Sequence, residues 1–98
     1  MRTRVKVSDQ VEAFVKALAP EPRRALTQAV KDLARDKGNT KRLEGKLAGY
    51  HRLRVGGYRV IYSERFEAGQ RTIECVFAKE RATVYDMFLQ LRAEEFGQ

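Results

Sequence analysis

The sequence predicts an α+β domain: two N-terminal antiparallel helices packed on a small antiparallel sheet, closed by a C-terminal helix, in the order β-α-α-β-β-β-α. Three observations predict it. The stretch Tyr50–Tyr62, YHRLRVGGYRVIY, alternates apolar and polar residues about a central Gly-Gly, the pattern of a hairpin. Upstream, Val11, Phe14 and Leu18, and then Leu26, Val30 and Leu33, recur at helical spacing. Downstream, Ile73, Cys75 and Phe77 alternate with period two, and Val84, Met87, Phe88 and Leu91 return to a helical period. With 98 residues and 43% apolar content the chain can fill one core but not two, so 1–98 reads as a single domain.

Taken in order, Thr3–Val7 is a short strand in which Val5 and Val7 alternate with Arg4 and Lys6. Ser8 offers an N-cap, and Asp9 places a carboxylate in the first turn of a helix ending near Ala19 and Pro20. Pro22 suits the first position of a second helix, because its missing N–H would have no partner there. Gly38 is the expected C-cap glycine of that helix. Residues 39–48 read as a polar connector anchored by Leu43 and Leu47. The hairpin strands follow, the second continuing to about Phe66, then a turn over 67–70 and a third strand, Arg71–Ala78. A last amphipathic helix starts near Ala82 and covers one face of the sheet.

The Gly56-Gly57 turn fixes the register of the hairpin. Val55 faces Tyr58, Leu53 faces Val60 and His51 faces Tyr62 on the core side. The other side pairs Arg54 with Arg59 and places Arg52 two positions along. Like charges directly opposite one another destabilise a sheet, so this pair calls for an anion, and the planar guanidinium suits phosphate.

Charge points the same way. The net charge is +7 and the pI about 9.9, and it is unevenly spread: residues 1–39 carry nine basic and five acidic side chains, 40–65 seven and two, and 66–98 four and six. The densest positive block is the hairpin with its approach, including Lys41, Arg42 and Lys46, which predicts a polyanionic partner, above all nucleic acid. The lone Cys75 excludes an internal disulfide and a cysteine-based zinc site. No apolar run reaches membrane-spanning length, and MRTRVKVSDQ lacks the apolar region of a signal peptide. A cytoplasmic protein with no membrane partner and no cofactor is expected.

The hairpin YHRLRVGGYRVIY, the cluster Lys79-Glu80-Arg81 at the end of the last strand, and Val84-Tyr85 after it resemble the RelE/ParE superfamily, the toxins of bacterial toxin–antitoxin pairs. The resemblance covers nearly the whole chain. It implies a RelE-like fold and a toxin of a type II toxin–antitoxin system, an endonuclease that cuts mRNA in the ribosomal A site without a metal. It also implies a cognate antitoxin, and contacts with mRNA and rRNA. Carried over residue by residue, the catalytic set is Arg52, Arg54, Arg59, Lys79, Arg81 and Tyr85, with Lys41, Arg42, Lys46, Arg52, Arg54 and Arg59 on the nucleic acid. Family members that work on the ribosome have lysines where this chain has Arg52 and Arg54.

That departure matters chemically. Arginine stays protonated and is a poor general base, which leaves Tyr85, Lys79 or His51 to move protons. Each has a plainer role open to it: His51 as a packing residue, Tyr85 as an anchor for the last helix, Lys79 and Arg81 as solvated strand-end charges. Tyr58 and Tyr62 can likewise be half-buried strand aromatics or base-stacking platforms. Two other functions stay open on the same scaffold: a ParE-like inhibitor of DNA gyrase, and an RNA-binding module without catalysis.

Overall fold

In the computed structural model, which describes residues 2–80 and 84–95, side chains at the helical C-terminus are described for Tyr85 and 87–91 only. The elements are β1 (Arg2–Val7), α1 (Asp9–Lys16), α2 (Pro20–Asp32), β2 (Asn39–Arg42), β3 (Tyr50–Val55), β4 (Tyr58–Glu67), β5 (Gln70–Glu80) and α3 (Val84–Glu95). They form the expected α+β fold around a five-stranded sheet of order β1-β5-β4-β3-β2. Its pairs are antiparallel except β1 with β5, which is parallel.

Local chemistry explains where the helices begin and end. Ser8 caps α1, its hydroxyl accepting from the Val11 N–H at 3.2 Å. Pro20, not Pro22, opens α2; Pro22 sits in the same first turn, where an N–H is again unneeded, and the first backbone bond runs from Arg23 N–H to Ala19 C=O. The left-handed residue that caps α2 and its short 3₁₀ turn is Asp36 (φ 56) rather than Gly38, which follows two residues on with a φ of 121. Aspartate tolerates that conformation better than most side chains, and Arg71 holds its carboxylate at 2.9 Å. At the hairpin only Gly56 takes a positive φ, 57, as a type II′ turn requires.

The segment expected as a connector holds a strand. β2, Asn-Thr-Lys-Arg, is exposed along its whole length and pairs with β3 alone at the sheet edge. Nothing apolar alternates there, so no period-two signal exists, and its charges discourage further strands from pairing on.

The buried side chains form two clusters, one on each face of the single sheet. Val11, Leu26, Val30 and Leu33 of the helical layer pack on Leu53, Val60, Tyr62, Ile73 and Cys75. On the opposite face Leu47, Ile61, Phe77 and Phe88 form a second cluster beneath α3. Phe77 therefore does not follow Ile73 and Cys75. A β-bulge intervenes: Ile61 pairs with Phe77 but Tyr62 pairs with Cys75, leaving Val76 as the extra residue. Beyond it every side chain of β5 changes face.

The strand end past the bulge is held from α1. Ser8 N–H donates to Cys75 C=O at 2.9 Å, and its hydroxyl donates to Val76 C=O at 3.1 Å. The Gln10 amide then grips Ala78 twice, donating to its carbonyl at 2.7 Å and accepting from its N–H at 2.8 Å. A side chain takes the place of the strand partner that β1, ending at Val7, no longer supplies.

Burial makes this core sensitive to alkali. It pushes the Cys75 thiol up to about 12 and also raises the neighbouring Tyr62 hydroxyl. Both shifts favour the protonated form in the folded state. Their stability is complete below the ordinary thiol value, about 8.5, and the Cys75 part is lost as pH rises toward 12, by up to ~4 kcal/mol. Urea midpoints are expected to be level to about pH 8.5 and to fall above it. Cys75→Ala should make that fall shallower; an unchanged profile would contradict it.

Candidate nucleic-acid interface

Cross-strand register places the hairpin cations. Arg54 pairs with Arg59, and Arg59 pairs in turn with Lys79 on β5. Asn39 of β2 completes the row beside Arg54. Because the bulge turned β5 over, Lys79 shares the face of Arg54 and Arg59; unbroken alternation from Ile73 would have aimed it into the helical core. Three cations from three adjacent strands thus stand side by side.

Arg59 is the member held by the turn. Arg59 is half-buried, and its Nη1 donates to the carbonyls of Gly56 and Tyr58, both at 3.0 Å, which ties the guanidinium to the turn. Arg54 is exposed. In the next row Arg52 lies opposite Ile61 and beside Lys41. Its Nη2 donates to Asn39 Oδ1 at 3.0 Å, while its Nε is buried without a hydrogen-bond partner. Such a donor is costly unless a ligand completes it. Asn39 escapes sequence reasoning because only pairing with β3 brings it to Arg52.

Tyr85 and Lys46 border this face. Tyr85, near the start of α3, packs against the Ile61–Phe77–Phe88 cluster and is partly buried. Lys46 is exposed on the 3₁₀ turn Gly45–Leu47, whose Leu47 enters the same cluster. Arg81 and Ala82 lie outside the described residues, as does the side chain of Val84. Among the described side chains of α3 the buried positions are Phe88 and, partly, Tyr85 and Leu89; Met87 and Leu91, expected in the buried stripe, are 40% and 44% exposed.

Arg42 and His51 do not join. They pair with each other across β2 and β3 on the opposite face, where His51 stacks on Tyr62 with ring centroids 5.1 Å apart. That removes His51 from the set of groups able to move a proton at the arginine row. With Asp36, Glu64 and Arg71, His51 borders a polar cleft of about 230 Å³, where the Arg71 guanidinium is already paired with both carboxylates. Tyr58, whose ring meets Phe14 edge-on at 5.9 Å, is half-buried against the helical core and Tyr62 is buried within it, both on the face away from the arginine row. Among the described residues no group of histidine, cysteine and carboxylate side chains is arranged to hold a metal ion. No described helix is long and apolar enough to cross a membrane.

No protein-family model and no curated protein matches the chain. Solved structures do. An archaeal RelE–RelB complex from Pyrococcus horikoshii matches with 30% identity and a TM-score of 0.67, over 84% of this chain and 98% of that one. The chain belongs to the RelE/ParE toxin superfamily. A RelB–RelE toxin–antitoxin complex from Mycobacterium tuberculosis is similar in fold at 24% identity and TM-score 0.67, covering 83% of this chain and all 100% of its own. A YoeB/ParE toxin from Agrobacterium tumefaciens shares the fold at 16% identity and TM-score 0.62, over 81% and 99%. In this RelE-like chain the basic row occupies the face that also carries α3.

Proposed function

We propose that this protein is the toxin of a type II toxin–antitoxin pair and a ribosome-dependent mRNA endonuclease that runs on protein cations. The observation that supports it is the row Arg54–Arg59–Lys79, assembled by the bulge on the face shared with Tyr85. Like-charged neighbours cost energy unless an anion lies across them, and a scissile phosphate is such an anion. Structures of RelE-type relatives with their antitoxins support a protein antitoxin as the partner.

In the reaction the mRNA 2′-oxygen forms a bond to the adjacent phosphorus and the P–O5′ bond breaks. The products are a 2′,3′-cyclic phosphate and a 5′-hydroxyl. The pentacoordinate transition state carries extra negative charge, which Arg59, fixed by the turn, meets in a preorganised position with Arg54 beside it; Arg81 is the third candidate. Arginine does not take the 2′-OH proton at neutral pH. Tyr85 and Lys79 are the groups assigned to proton transfer, one removing the 2′-proton and the other protonating the 5′ oxygen. The A site supplies the rest by holding the mRNA in line for attack.

Purified protein is expected to cut mRNA bound to 70S ribosomes with an empty A site, leaving 5′-hydroxyl ends, and to leave the same mRNA intact when ribosomes are omitted. Inhibition of gyrase supercoiling with no cleavage would instead assign it the ParE-type activity. Neither effect would leave an RNA-binding module.

A further inference from the structure

The sheet carries a second row of cations that the hairpin reading does not use. Val5 and Val7 of β1 turn toward the helical layer, where they line an apolar groove, so Arg2, Arg4 and Lys6 stand on the face shared with Arg54, Arg59 and Lys79. All three are exposed. They pair with Gln70, Thr72 and Glu74 at the start of β5, whereas Lys79 lies near its other end. Phe77, between the two ends, is covered by Phe88 of α3, their rings 5.8 Å apart.

The neighbouring carboxylates are already engaged. Arg65 takes Glu67 and Glu74, both at 2.7 Å, and among the described residues no carboxylate lies within ion-pair distance of Arg2, Arg4 or Lys6. Three uncompensated charges therefore recur every second residue, about 6.6 Å apart on an extended strand. That is the order of spacing between successive phosphates along one RNA strand. We infer that the Arg2–Arg4–Lys6 ladder of β1 is a second contact for RNA backbone phosphates, separate from the hairpin row. The inference rests on the RNA reading above and extends it. Such contacts position the protein and carry no sequence preference.

The test uses a fluorescent 2′-O-methyl uridine 20-mer, which cannot be cleaved, and anisotropy from about 50 to 200 mM KCl, the range where phosphate contacts show. For R2Q/R4Q/K6Q the plot of log K against log salt is expected to be shallower by about 2, at roughly 0.7 per phosphate lost, with affinity about tenfold weaker. R2K/R4K should keep the wild-type slope, and R54Q/R59Q should add its own loss. If the ladder variant keeps the wild-type slope while R54Q/R59Q loses it, the ladder inference fails and the RNA reading stands. If wild type does not bind, or neither set changes the slope, the ladder inference fails, and cleavage on 70S ribosomes decides the RNA reading separately. A loss confined to binding of poly-L-glutamate would overturn the inference in favour of an acidic protein partner.

Discussion

Arg59→Ala is expected to slow cleavage on 70S ribosomes by about 10²–10³-fold, the usual cost of removing one preorganised charge-stabilising donor. Arg59 is the middle member of the row, with Arg54 on one side and Lys79 on the other. The carbonyls of Gly56 and Tyr58 fix its guanidinium before substrate arrives, so little reorganisation remains at the moment of reaction. Ribosome affinity should change far less, since the remaining basic side chains still meet phosphate. Stability should change little, because relief of the repulsion with Arg54 offsets the loss of the hydrogen bonds to the turn. Arg59→Lys keeps the charge and loses the fork, and an intermediate rate is expected. Single-turnover cleavage at saturating ribosomes separates rate from binding; a rate for Arg59→Ala within about threefold of wild type would contradict the assignment.

Phe77→Ala is the second large effect. The bulge at Val76 turns Phe77 into the α3 cluster, where it is buried with its ring 5.8 Å from that of Phe88, so truncation leaves a cavity beneath α3. Loss of a buried phenylalanine costs about 3–5 kcal/mol. Small domains hold about 5–15 kcal/mol in all. At about 4–8 °C per kcal/mol, the melting midpoint should drop by at least about 12 °C. Deletion of Val76 should cost less, because Phe77 then follows Cys75 directly and both Phe77 and Lys79 keep their present face. Thermal melting followed by circular dichroism reads both variants. A Phe77→Ala variant that melts within a few degrees of wild type would show that the ring past the bulge does not hold α3 to the sheet.

The same bulge marks where the sequence stops being legible. Tyr50–Val55 and the start of β4 follow from period-two alternation about Gly-Gly, and their register is borne out pair by pair because one face is buried and a one-residue slip would invert it. The alternation of Ile73, Cys75 and Phe77 also looks unbroken, yet Phe77 belongs to the other core. An apolar residue suits either face of a sheet buried on both, so the pattern does not reveal the inserted Val76. β2 is silent for the opposite reason: an exposed edge strand needs no apolar residue. Gln10 gives no signal either, since its bond to Ala78 joins positions 68 residues apart. In α3, Met87 and Leu91 satisfy a helical stripe that the structure leaves largely exposed, while Leu89 packs inward. The arginine row was legible because charge and turn chemistry are local; its continuation to Lys79 depended on β5 crossing the bulge.

Mapping of mRNA 5′ ends in growing cells after brief induction tests the central claim most directly, with wild type beside Arg59→Ala and Tyr85→Phe. Growth arrest with new 5′ ends inside translated reading frames, absent when translation is blocked and lost in both variants, is the expected result. Arrest without new ends, or cuts equally frequent in untranslated RNA, would contradict it.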